Sequence, residues 1–269
     1  MDRQRRVSAD LVSSGPPVTG IPESVAGLVD ELMAMSGAVA VVLGGSRALG
    51  AGDDQSDWDL GVYYRGSIDL GRLAKRGTVY PPGSWGRLMN GGAWLRGDGI
   101  KVDVLLRDLD AVEHWGRRTE QGEFEIDALL GYIAGVPTYL LSAELASCRP
   151  LRGEIPSAPF PEPLRMAAPL KWRFCRSFSL DYARMHARRG NIVGVSAQAA
   201  KAVVEEAHAV MCEQGRWVCN EKQLIDAAGL SGLQTAFSGL PADPAGLRQW
   251  VDELADRLGG PAADSRPPL

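Results

Sequence analysis

The segment LGGSRALGAGDDQSDWDLGVYY holds the residues whose types and spacing can do chemistry. An apolar run ends at Gly44-Gly45, Ser46 follows, and residues 47–56 separate it from Asp57-Trp58-Asp59. Asp57 and Asp59 are two apart at the mouth of a short apolar stretch, and in a strand such residues project from one face. Two like charges side by side are unfavourable unless a cation neutralises them. A hard divalent ion such as Mg²⁺ takes a few carboxylates together with substrate phosphates. The paired glycines let the backbone approach a phosphate closely, Ser46 can donate a hydrogen bond to it, and Arg47 can add a charge-assisted contact. A third carboxylate, Asp103, stands between Val102 and Val104 in IKVDVLLR, where it must face a polar surrounding or a partner. If this strand lies beside the one carrying Asp59, the three carboxylates can seat two Mg²⁺ ions and support an in-line phosphoryl displacement.

The elements that must position these residues can be read from apolar periodicity. Leu28, Leu32 and Met35 recur at helical spacing, predicting a first helix over Glu23 to Met35. AVAVVLGG, from Ala38 to Gly45, is a continuous β-branched run of the buried-strand kind. DLGVYY, Asp59 to Tyr64, is a second strand, Ser67 is an N-cap for a helix reaching Lys75, and Ile100 to Arg107 is a third strand. From Asp108 helical patterns take over, at 108–119, 125–147 with a break at Pro137, 164–189, 192–214, 221–229 and 244–258. Five prolines in Cys148 to Leu164 predict a linker or extended crossover.

The 269 residues suffice for one large domain or two small ones, and a net charge of −4 argues against a protein devoted to coating nucleic acid. No stretch is long and apolar enough to span a bilayer. The basic start lacks an apolar core behind it, so a secretory signal is not expected. The four cysteines are scattered without a CxxC pair, which fits buried thiols in a reducing cytoplasm.

GGS-x10-DWD followed by a strand with a third Asp resembles the GS…DxD…D/E pattern of the DNA polymerase β-like nucleotidyltransferases, over about Ala38 to Arg107. The resemblance implies metal binding by Asp57 and Asp59, with Asp103 binding metal or serving as general base. With the phosphate contacts read above from residue chemistry, Gly45, Ser46 and Arg47 are the expected grip on the triphosphate. The helical half more loosely resembles the domain attached to kanamycin-type nucleotidyltransferases and HEPN-type helical domains. Neither His186 nor His208 has an Arg at the spacing of the HEPN nuclease motif, so nuclease chemistry is not expected. In the related drug-modifying enzymes the helical domain closes the acceptor pocket and can supply a catalytic Glu, for which Glu123, Glu125 and Glu144 are the candidates. Lys171 and Lys201 are candidates for phosphate contacts, against the plainer reading of solvated helix lysines. Trp58, Trp85 and Trp94 can stack on a base or an acceptor ring, although Trp is more often core.

These expectations describe an α+β chain. Residues 21–122 form a small mixed β-sheet nucleotidyltransferase domain, and residues 123–260 an all-helical bundle with a Pro-rich crossover at 148–164. Tails at 1–20 and 261–269 flank them. The expected activity is Mg²⁺-dependent transfer of AMP from ATP to a hydroxyl of a small acceptor such as an aminoglycoside-like antibiotic, by a cytoplasmic protein open to pairing as a homodimer. Two other readings stand beside it: adenylylation of a protein side chain or tRNA, and a non-catalytic nucleotide sensor, which would have no need of three crowded carboxylates.

Overall fold

The structure is a computed structural model that describes residues 20–50, 52–53, 56–97 and 100–259. The expected tails at 1–20 and 261–269 lie, Gly20 apart, outside the described residues. The chain is α+β and divides into two compact units.

The sheet unit begins with α1 (Glu23–Met33), whose Val25, Leu28, Val29 and Leu32 form one buried face at helical spacing. Then come β1 (Ala38–Leu43), the single-turn α2 (Gly45–Ala48) and β2 (Trp58–Tyr64). They are followed by β3 (Gly77–Tyr80), the single-turn α3 (Gly86–Met89), β4 (Gly91–Gly97) and β5 (Ile100–Asp108). Beyond β5 the chain enters α4 (Leu109–Glu120), then β6 (Ile126–Asp127) and β7 (Val136–Pro137), which pair as a short ladder. It next runs through α5 (Leu140–Ser147) and β8 (Arg149–Gly153), a strand that pairs with β1. The six-stranded sheet has the order β3-β4-β5-β2-β1-β8, with β2 and β5 parallel and the other neighbours antiparallel.

Alternation sorts the central strands into two faces. Val41, Leu43, Leu60, Val62, Val102, Val104 and Leu106 point into one core with α1. Asp59, Tyr63, Asp103 and Arg107 therefore occupy the opposite face.

The helical unit is built on α6 (Glu162–Ala187) and α7 (Ile192–Glu213), joined by a short turn in which the Asn191 side chain caps α7 by accepting from Gly194 N–H. After the one-turn α8 (Leu224–Ala227), α9 (Pro244–Arg257) buries Leu247, Trp250, Val251 and Leu254 against them. Exposed apolar side chains Met166, Leu170, Phe174, Phe178 and Tyr182 recur every four residues along α6. Among the described residues no helix is long and apolar enough to cross a membrane.

The division of the chain departs from the expected boundary at 122/123. The sheet unit takes residues up to Arg117 and also Leu141–Pro159, while the helical unit takes Arg118–Leu140 and the chain from Phe160. The segment expected as a Pro-rich crossover contributes β8, the edge strand that pairs with β1. An edge position tolerates Pro150, which has no N–H to give a ladder. The helix expected over 125–147 is confined to α5, because 126–127 and 136–137 pair with each other. The helix expected from Ser67 to Lys75 shrinks to a 3-10 turn at Leu73–Lys75, since Asp69 Oδ1 accepts from Gly71 N–H and closes a turn instead.

Candidate active site

Where β1 ends, Gly44 N–H donates to the Asp59 carbonyl at 2.7 Å, stitching the start of the glycine turn to β2. Gly45 then adopts φ +62°, and a Cβ built on it would lie 1.8 Å from Asp59 Oδ2. Only glycine satisfies both the left-handed backbone and this approach. The Asp59 carboxylate thus sits against the turn that carries Ser46.

Arg47 turns back along its own loop. Its Nε and Nη2 donate to the Ser56 carbonyl at 3.1 and 2.6 Å, and its guanidinium lies over the Trp58 ring at 4.4 Å from the centroid. Arg47 is thereby tied to Ser56 and Trp58, the residues on either side of Asp57. Trp58, offered above as a stacking residue, is buried in the core.

The parallel register pairs Asp59 with Asp103, and Asp57 precedes Asp59 by two residues. The Lys101 ammonium stands 3.9 Å from Asp57 Oδ1. Burial pushes the Asp103 carboxyl above its ordinary value and the negative charge of Asp57 pushes it the same way, while Arg96 and Lys101 pull it back. The backbone therefore gathers the three acids on one face. Among the described residues, no three His, Cys, Asp or Glu side chains are drawn together as a closed metal cage. The donor chemistry, carboxylate oxygens beside a turn that can admit phosphate, suits Mg²⁺.

Glu144 has a different task. It receives Arg107 Nε at 2.6 Å on one oxygen and Arg107 Nη2 at 2.7 Å on the other, a two-pronged pair with a guanidinium only 2% exposed. Arg107 lies four residues along β5 from Asp103, about 13 Å away. The pair fixes α5 to the sheet and gives Glu144 a structural partner.

The remaining candidates belong to the helical unit. Glu125 is exposed just before β6, where its N–H donates to Thr138 Oγ1 and its carbonyl accepts from Thr138 N–H. It starts a ladder, not the helix expected there. Lys171 Nζ donates to the Phe124 carbonyl and lies over that ring at 4.4 Å. Lys201 is 3.7 Å from Glu205 Oε1, one helical turn on. Arg173, Arg176 and Arg184, members of the basic run along α6, also pair with carboxylates of their own unit: Glu206, Glu213, Asp181 and Asp252.

The residues of the acid face that sequence reasoning left aside are Arg96 and Lys101, register partners in the β4–β5 hairpin, and the placing of Trp94 directly across from Asp103. Alternation within β4 carries the signal, since Trp94 and Arg96 are exposed while Ala93 and Leu95 are buried. A cavity of ≈ 470 Å³ opens on the other side of the sheet, lined by Val25, Leu28, Leu95 and Val102 among others, and takes in none of the three acids.

No family model matches the chain. No curated protein matches it either. Among solved structures the chain is similar to a nucleotidyltransferase-like protein from Exiguobacterium sibiricum 255-15, with a TM-score of 0.43, 14% identity, and coverage of 89% of this chain and 75% of that one.

Proposed function

We propose that this protein is a Mg²⁺-dependent nucleotidyltransferase that moves AMP from ATP to a hydroxyl of a small acceptor. The observation that carries the reading is the register of Asp59 with Asp103, with Asp57 two residues ahead and the Gly45-Ser46 turn against Asp59. Asp57 and Asp59 would hold two Mg²⁺ ions, which when bound neutralise the polyphosphate and stabilise the attacking and leaving oxygens. The glycines at 44 and 45 admit the triphosphate to the backbone, and the Ser46 hydroxyl donates to it. Asp103 accepts the proton of the acceptor hydroxyl as its oxygen bonds to the α-phosphorus. The bond from that phosphorus to the bridging oxygen breaks, and pyrophosphate leaves. With Glu144 committed to Arg107, Asp103 is the base the sheet unit offers. Arg47 acts indirectly, by holding the loop before Asp57.

The test uses ATP radiolabelled at the α-phosphate, Mg²⁺, and a panel of acceptors that includes aminoglycosides, other hydroxylated small molecules, tRNA and protein. Label is expected on a small acceptor with equimolar pyrophosphate. Transfer should disappear on chelating the metal and fall by three orders of magnitude or more, roughly, in Asp57→Ala and Asp59→Ala, since each removes a ligand of the charge-neutralising centre. Label on tRNA or protein alone would move the acceptor class. The enzyme reading is lost if no acceptor is labelled and Asp57→Ala binds ATP as wild type does.

A further inference from the structure

Across the acid face the strands run β1, β2, β5, β4, β3. The Gly45-Ser46 turn follows β1, Asp59 is on β2, Asp103 on β5, and Trp94 on β4 is the direct partner of Asp103. Directly opposed residues of an antiparallel pair share a face, with Cβ atoms about 4.5–5.5 Å apart. Trp94 is 48% exposed, while Ala93 and Leu95 beside it are in the core, so its indole stands on the side of the acids.

That indole is buttressed. Tyr80 meets it edge-on at 4.7 Å between centroids, Trp85 lies 6.0 Å away tilted by 31°, and Tyr80 and Trp85 are 5.0 Å apart. A Cβ at Gly92 would come within 2.7 Å of the Trp85 ring, so glycine there lets Trp85 lie down on β4 beside Trp94. Three aromatic rings supporting one another hold the outermost in a fixed orientation. Rings recruited only to fill a core would be covered; here the supported ring presents half its surface to solvent next to a carboxylate.

The proposed in-line transfer decides what this ring meets. The acceptor oxygen must attack from the side opposite the leaving pyrophosphate. On that reading the triphosphate lies at the turn after β1, which is three strands, about 14 Å, from β4. The acceptor therefore enters past Asp103, over β4.

Resting on the reading of the previous section, we propose that Trp94, held by Tyr80 and Trp85, is the platform on which a ring-bearing acceptor lays an apolar ring face, so that a hydroxyl on that ring's edge reaches Asp103. The acceptor is thus a cyclic alcohol with one flat apolar face, either a glycoside presenting its C–H face or an aromatic ring. Arg96 and Lys101 border the same platform.

The test compares full-length wild type, Trp94→Ala and Trp94→Phe with matched glycoside, aromatic and acyclic polyol acceptors, reading KM for acceptor and for ATP separately. Thermal unfolding confirms that each variant is folded. Trp94→Ala is expected to raise the KM for the ring-bearing acceptor about ten-fold, the size of one stacking contact plus its buried area, with the KM for ATP at the wild-type value. Trp94→Phe should recover most of the loss, and the acyclic polyol should be insensitive to either change. Whichever of the glycoside and aromatic arms responds identifies the ring. A rise in the KM for ATP would assign the platform to the nucleobase and overturn the proposal, as would equal behaviour of all acceptors. Failure of the parent reading looks different: wild type then labels no acceptor at all, and the platform falls with it.

Discussion

At Gly45 the chain must do two things that no side chain permits. It turns at φ +62° out of β1, and it leaves room for Asp59 Oδ2, which occupies the space a Cβ would take. Gly45→Ala therefore meets a backbone cost of about 1–2 kcal/mol and displaces the Asp59 carboxylate. The expected outcome is a modest fall in the free energy of unfolding together with near-complete loss of nucleotidyl transfer. Denaturant melts and the labelled-ATP assay read the two separately. Normal activity in Gly45→Ala would mean that the position of Asp59 against the turn is immaterial. At the same scale, Arg47 illustrates how a cation beside a glycine turn can serve its own backbone: both donors it aims at Ser56 and its seat on Trp58 hold the approach to Asp57.

Elements are held by pairs that sequence periodicity does not reveal. Arg107 is buried on β5, donates to both Glu144 oxygens on α5, and uses Nη1 on the carbonyls of Met89 and Leu106, each at 2.9 Å. Glu144→Ala would leave that guanidinium buried without its counter-charge, a loss of about 3–5 kcal/mol. Stability measured by chemical denaturation should drop accordingly, while kcat of the folded fraction at low temperature stays near wild type. A collapse of kcat with stability intact would return Glu144 to the chemistry. The strands β1, β2 and β5 were legible because each is a run of β-branched and apolar residues, and the acids at their ends inherit that legibility. β8 was not, since RPLRG has the composition of a linker and becomes a strand only by pairing with β1. β4 was missed for a related reason: its glycines at 91 and 92 and exposed Trp94 and Arg96 dilute the apolar signal. Local chemistry such as Gly45, Asp57 and Asp59 is contiguous in sequence. The neighbour of Asp103 across β4 depends on a register that composition does not encode.

In the molecule as a whole, the sheet unit and the helical unit each have their own buried core, and the helical one buries titratable groups of both signs. Glu205 on α7 is 2% exposed. Burial pushes its carboxyl from 4.5 up to about 7, against the opposing pull of a Ser179 hydrogen bond and the Lys201 charge, with Glu221 adding to the rise. Its folded form binds a proton more tightly than the unfolded chain does, so the stability it contributes is complete below 4.5 and lost as pH rises through about 7. His208, stacked on Trp172 at 4.3 Å, runs the other way. Burial lowers it from 6.5 although Glu221 resists, so its contribution is present above 6.5 and lost as pH falls. The two losses meet near neutrality, and removing one should expose the other. Glu205→Gln keeps the shape and discards the charge. It should leave stability at about pH 5 almost unchanged and raise it at about pH 8 by up to about 3 kcal/mol. Its unfolding midpoint should then climb with pH, where that of wild type levels off or declines. Urea titrations of both proteins across this range are the measurement. Parallel profiles for wild type and variant would show that Glu205 ionises in the folded protein at no cost, and that the α6–α7 core admits enough solvent to hydrate it.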